Sequence, residues 1–368
     1  METFDIRPLV YAIHKTVKSH ELEKKGQYCR WLWQNSEGNR DLGSTAYGCA
    51  DAANILYTIN EFYCDKETRN ARIAELQALQ NPETGMFEED THHTIHTTAH
   101  CTGAIQLFDA KPLYPIYGLH KYLEKNALYD LLEGKDLARE LQYKARSVRD
   151  VDAWLNTLNW TDNPWTLSHL GAGVYAALAN SDEITQDFQS NYFDWFWDNS
   201  DDVSGFWKKG YASRAEYTSN WEKGKLAPMY CYMAGGFHYM FNHEYAKMPL
   251  RYPEKVIDCC IEMYEKNAVS KNFCKSIGFI EIDWLFCINR ASRQTSHRFA
   301  KVKELIEDFA KRLITYLNSL DYDKHDGFND LHALFGTVCA LAELQAALPG
   351  RIITEKPLRL VLDRRPFI

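Results

Sequence analysis

Four of the thirteen histidines fall close together, at His92, His93, His96 and His100. His92 and His96 are four apart, as are His96 and His100, so a helix running through them would put three rings on one face. Imidazoles so placed suit metal ligation, or a base and the partner that orients it. The run is not an HExxH and no fixed Cys/His pattern accompanies it, so neither a metal nor a cofactor is assigned. Cys101 follows directly, but a thiol followed by Thr, Gly and Ala in an apolar helix reads as core packing.

The carboxylates offer a different chemistry. Asp283 interrupts the apolar run Gly278-Phe279-Ile280-Glu281-Ile282-Asp283-Trp284-Leu285-Phe286, with Glu281 two residues before it. A buried carboxylate costs several kcal/mol unless it is paired, so Asp283 needs a reason, and an ion pair with Arg290 or Arg293 is the plain one. Asp51 and Asp330 stand near the starts of apolar helices, where helix capping competes with catalysis as an explanation. Glycosidic bond cleavage needs two carboxyls, one protonated and one ionised. Asp283 is expected as one of them, with Asp51 or Asp330 as the other. Holding a substrate falls to His92, His93, His96, His100, Trp165, His169, Tyr230, Tyr232, His238, Glu281, Trp284 and His332.

These residues share an address. Amphipathic segments at 8–34, 66–80, 150–160, 190–198, 252–267 and 299–318 alternate with segments that are small and apolar all round, at 46–56, 97–109, 169–178, 229–243, 280–293 and 331–347. Only a helix covered on every side can be apolar all round, so the second set is expected inside the first. A loop motif punctuates the pairs: Asn81 to Phe87 is echoed position for position by Asp201 to Trp207, in part by Gln34 to Gly38, and at its end by Asp326-Gly327-Phe328. The reading is an all-α single domain over 1–368, an (α/α)6 toroid of six helical hairpins whose inner helices begin at one mouth and bring the candidate residues to a central cavity. Residues 112–149 and 208–225 read as surface insertions, and 352–368 as an extended tail packed on the body.

Leu76-x3-Gln80-x4-Gly85-x-Phe87 resembles the end of the QW-type repeat of squalene-cyclase and protein-prenyltransferase-like proteins. The six-hairpin layout is similar to the (α/α)6 toroid those proteins share with many glycosidases and polysaccharide lyases. The family's chemistry does not carry over. The prenyltransferase zinc site wants Asp and Cys two apart, whereas Asp283 is followed by Leu285 with Cys287 only at four, and His332 alone does not restore it. The DxDD acid of terpene cyclases is absent, the nearest run being Asp198-x-x-Asp201-Asp202.

Composition narrows the classes further. A net charge of −8 with no Lys/Arg stripe argues against a nucleic-acid partner. No apolar run approaches the ~20 residues of a membrane span, and ten cysteines without CxxC pairs suit a reducing, cytoplasmic address. Twenty-two Tyr and ten Trp fill a helical core or line a sugar cleft. Three functions follow. The first is a carbohydrate-active enzyme, a glycoside hydrolase acting on oligosaccharides, uronic-acid-containing ones included. The second is a sugar epimerase, isomerase or polysaccharide lyase moving a proton through His96, His100 or Tyr232. The third is a non-catalytic toroid that binds a small ligand or a protein.

Overall fold

The computed structural model describes residues 2–126, 129–130, 147–148, 151–222 and 224–367. It is all-α. Its helices are α1 (Arg7–Ser19), α2 (Ala46–Thr58), α3 (Lys66–Ala78), α4 (Thr94–Leu107), α5 (Tyr117–Lys125), α6 (Val151–Thr157), α7 (Pro164–Asn180), α8 (Gln186–Asp198), α9 (Met229–Ala246), α10 (Pro253–Glu265), α11 (Ile280–Ser292), α12 (Phe299–Asn318), α13 (Asp326–Asn329), α14 (Leu331–Ala347) and α15 (Val361–Arg364). Strand content among the described residues is two short ladders. One of them, Phe4–Asp5 beside Ile352–Ile353, ties the two ends of the chain together. Among the described residues no helix is long and apolar enough to cross a membrane.

Helices α2, α4, α7, α9, α11 and α14 are buried along nearly their whole length. Each touches two of the others, and the contacts run α2–α4–α7–α9–α11–α14 and return to α2. Their abundance of Gly, Ala and Cys permits this, since small side chains let helix axes approach on several sides at once. The remaining long helices bury one stripe. In α12 the buried set is Val302, Leu305, Ile306, Phe309, Ala310, Leu313, Ile314 and Leu317, the three-and-four spacing of a helix covered on one face only.

The repeated loop has a repeated hydrogen-bond pattern. Asn81 N–H donates to Met86 O and Gly85 N–H to Asn81 O, while Asp201 N–H donates to Phe206 O and Gly205 N–H to Asp201 O. Both glycines are left-handed, at φ 67° and 77°, and a Cβ on Gly85 would sit 1.7 Å from Pro115 O. Glycine is therefore required there. Gln80 ties the same turn to the next segment: its amide donates to Gly85 O and Tyr114 O and accepts from Tyr114 N–H. The QW-like residues thus hold loop geometry.

Several boundaries differ from expectation. The helix expected over 8–34 stops at Ser19, where the His20 ring meets Thr16 O and Asn329 O, and the chain then turns back through Gly26 at φ 91°. Cys29 keeps helical spacing only by coincidence, being buried from a loop. Helix α4 begins at Thr94, three residues early, because the His93 ring accepts from Ile95 N–H as a cap. Helix α7 begins at Pro164, capped by Asn163, so His169 lies in its second turn. Among the described residues, the segment expected at 150–160 supplies only the short α6, and 208–222 and 224–225 are irregular apart from a turn at Ala212–Arg214. Of the expected insertion at 112–149, the described part contains α5, whose Tyr117, Leu119, His120 and Leu123 are buried; 127–128, 131–146 and 149 lie outside the described residues. The tail forms α15 and then enters the interior, with Arg365 and Phe367 fully buried.

Candidate functional site

The starts of α4, α7, α11 and α14 and the middle of α9 converge on a cavity of about 700 Å³, within the range of small-molecule sites. Six histidines line it: His92 and His93 from the loop before α4, and His96, His169, His238 and His332 from the helices. Asp283 on α11 also lines it, with Trp165 and Phe279 as aromatic walls and Asn159 and Asn163 as amides. Trp165 is 37% exposed, so one face is open to a ligand.

Behind His332 stands a buried carboxylate. Asp51 of α2 accepts from His100 Nε2 at 2.8 Å, and His332 Nδ1 lies 3.3 Å from the same oxygen and 3.2 Å from the other. Asp51 and His100 are wholly buried, so this carboxylate reaches the cavity only through His332. Burial alone would raise Asp51, but the imidazoles of His332 and His100 hold it below the usual carboxylate range. With Nδ1 of His332 directed at this carboxylate, Nε2 is the ring nitrogen left for a ligand.

Asp283 is the reverse case. Neither of its oxygens has a hydrogen-bond partner, and burial, with Glu281 beside it, pushes its carboxyl well above the usual range. Its surroundings therefore favour the protonated, neutral form. The ion pair with Arg290 or Arg293 does not form: both arginines engage Glu343. One cavity thus brings together an imidazole backed by an anion and a carboxyl raised by burial, the kind of contrast that acid–base chemistry uses.

Burial lowers the proton affinity of His92, His93, His96, His169 and His238. Burial, then the neighbouring imidazoles, keeps His96 well below its ordinary value, and burial and the His332 ring hold His169 at about 4. His92 falls to about 2 through burial and the charges of His332 and Arg30. Tyr47 hydroxyl meets His96 Nδ1, and its ring stacks on His92 and His100.

Other expected residues sit elsewhere. Asp330 is the N-cap of α14 and makes a two-pronged pair with Arg30, so capping and pairing account for it. Glu281 faces the preceding loop, accepting from Cys274 N–H and Ser276 Oγ. Trp284, about 100° around the helix from Asp283, points outward onto Tyr264, Phe273 and Phe309. Tyr232 donates to Trp160 O, and neither it nor Tyr230 lines the cavity. The Asn163-Pro164 pair, a legible helix start, would have pointed to Asn163. Nothing local signals Phe367, whose ring comes from the far end of the chain to meet His96 and His238.

A pH effect follows away from the cavity. Burial holds His243 at about 4, although its ring bonds Tyr239 O. Between about pH 6.5 and 4 the unfolded chain binds this proton and the folded chain does not, so stability present above that window falls with pH, by up to about 1.4 kcal/mol per pH unit. Urea unfolding at about pH 7.5 and about pH 5 should show a shallower loss for His243→Gln than for wild type. Equal losses would refute the assignment.

Set against protein-family models, curated proteins and solved structures, the chain matches none.

Proposed function

We propose that the cavity is the active site of a carbohydrate-active enzyme built on an (α/α)6 toroid, in which the His332–Asp51 dyad takes up a proton and Asp283 donates one. The six buried helices whose contacts return to α2 support the toroid, and the early turns of α4, α7, α11 and α14 that meet at the cavity support its inner mouth as the site. The observation that carries the reaction is the opposed state of two carboxyls in one place, Asp51 ionised behind an imidazole and Asp283 neutral on the wall. Aromatic walls and amides suit a sugar, with ring faces on Trp165 and hydroxyls on Asn159 and Asn163.

Among the described residues Asp283 is the only carboxylate on the wall, which favours proton transfer at carbon over a pair of carboxylates flanking a glycosidic bond. The substrate is then a sugar whose carbonyl or carboxylate acidifies the neighbouring C–H, and the enzyme an epimerase, isomerase or lyase. Glycoside hydrolysis is the second reading, with Asp283 protonating the leaving oxygen and His332 activating water. Its support is the same protonated Asp283.

The ten thiols, none of them paired, support a reducing compartment, and a cytoplasmic address goes with it. The partner is a small-molecule sugar and not a nucleic acid, given the charge of −8.

The test is incubation of uronic-acid-containing and neutral oligosaccharides in deuterated water, followed by mass spectrometry. Proton transfer at carbon predicts carbon-bound deuterium or an unsaturated fragment, whereas hydrolysis predicts the gain of one water. No change with any sugar, alongside tight binding of one of them, would replace the enzyme reading with a binding toroid.

A further inference from the structure

We propose that His96, His169 and His238 form a three-histidine site for a divalent transition-metal cation, zinc being the ion that suits it best, with its open coordination position facing the cavity. A ring nitrogen from each lies within 4.8 Å of the other two. The rings come from three successive neighbours, α4, α7 and α9, with His169 between the others at ring-centre distances of 4.4 and 4.9 Å. All three line the cavity.

The surroundings orient them as ligands. Ser168 Oγ donates its single hydrogen to Trp165 O, so it accepts from His238 Nδ1 at 2.7 Å. That fixes the His238 tautomer with its Nε2 lone pair free. His96 is anchored through Nδ1 at the Tyr47 hydroxyl, and with Nδ1–H as the donor to that oxygen its Nε2 lone pair is free for the ion. Ligating histidines in metal sites are characteristically anchored by their other ring nitrogen in this way. Phe367 closes the site from below, touching both His96 and His238. An ion about 2.0–2.1 Å from three imidazole nitrogens needs them roughly 3.3 Å apart, so the rings turn inward slightly on binding.

The donor set selects the ion. Three neutral nitrogens with one vacant position suit zinc and its neighbours, and no carboxylate among the three favours calcium or magnesium. The second buried cluster, Asp51 with His100 and His332, is a poorer host. Arg365 lies wholly buried beside it, its guanidinium charge felt by both Asp51 and His100, and that charge repels a further cation. Binding of the ion does not depend on the catalytic reading above. Its use does rest on that reading: a cation there would hold a carboxylate or carbonyl oxygen of the sugar and stabilise the negative charge that develops as His332 removes a proton.

The experiment is titration of chelator-treated protein with Zn²⁺ by calorimetry and with Co²⁺ by visible absorption, without any sugar present. One ion per chain is expected at micromolar or tighter affinity, with the intense visible bands of low-coordinate Co²⁺. His169→Gln and His238→Gln should each weaken binding by at least about 100-fold. Ser168→Ala, which keeps every ligand, should weaken it roughly 10–100-fold. His332→Gln should bind within about threefold of wild type. Absence of binding would overturn the site, as would a loss caused by His332→Gln with His169→Gln and His238→Gln unaffected. Circular dichroism of each variant separates loss of a ligand from loss of the fold. Because no turnover is measured, failure here leaves the proton-transfer reading standing, and failure of that reading leaves the metal site standing.

Discussion

Asp51→Asn should leave the chain folded and lower turnover by roughly 10³–10⁴-fold, the size of effect seen when the anion behind a catalytic imidazole is neutralised without changing its shape. Asp51 Oδ1 lies 2.8 Å from His100 Nε2 and 3.3 Å from His332 Nδ1, so both rings give a hydrogen to one carboxylate. An amide in its place supplies a donor as well as an acceptor. Turned toward His332, that donor would force Nδ1 to become the acceptor and put the hydrogen on Nε2, where the base should be. The loss should fall on kcat more than on KM, because Asp51 is fully buried and meets the substrate only through His332. Steady-state kinetics on whichever sugar the deuterium screen identifies, beside His332→Ala, decides it. Equal losses in the two variants would mark one functional unit, while an Asp51→Asn enzyme within about threefold of wild type would remove the dyad from the mechanism.

Legibility in the sequence followed how local the cause was. Helix α12 is read to the residue at both ends because its stripe of Val302, Leu305, Phe309 and Leu313 has charged residues all around it. Helix α1 is overread because Cys29 continues its spacing, whereas its stop depends on His20 meeting the distant Asn329 carbonyl. In the candidate site, the first-turn address found His96 and His332 near helix starts and His169 one turn further in, whereas His238, ten residues into α9, reaches the cavity from mid-helix. The same rule overshot on α11. Neighbouring residues on a helix point about 100° apart, so Asp283 faces inward and Trp284 outward, a difference set by rotation and not by composition. Asp51 and Asp283 read alike in sequence as acids among apolar residues. Only the packing of His332 and His100 against one of them, and the lack of any hydrogen-bond partner for the other, shifts the two carboxyls in opposite directions. The tail that brings Phe367 to His96 is a long-range contact with no periodicity to announce it.

Glu343→Ala should destabilise the fold by about 3–5 kcal/mol, a large part of the roughly 5–15 kcal/mol that a domain has in total. Glu343 on α14 is 2% exposed and Arg290 on α11 is 1% exposed. Their two hydrogen bonds, Nε to Oε1 and Nη2 to Oε2, are both 2.8 Å, a parallel fork. Burial alone would raise the Glu343 carboxyl, but the Arg290 charge keeps it below its usual value. Arg290 Nη1 also reaches Glu244 of α9 at 3.0 Å and Asp363 of α15 at 2.5 Å, so one guanidinium joins four helices. With Glu343 gone, the guanidinium stays buried with only these two partly exposed partners, which stand 22% and 40% exposed. The double variant Arg290→Met with Glu343→Leu should be clearly more stable than Glu343→Ala, since apolar volume replaces both charges and the exposed Asp363 turns to water. Urea unfolding of wild type, both single variants and the double variant measures the coupling. A cost below about 1 kcal/mol for Glu343→Ala, or a double variant as weak as the sum of its parts, would show that the fork contributes little. The network also anchors the segment that carries Arg365 and Phe367 inward, so Asp363→Ala, milder in stability, should loosen the floor beneath His96 and His238 and register first as weaker ligand binding in the cavity.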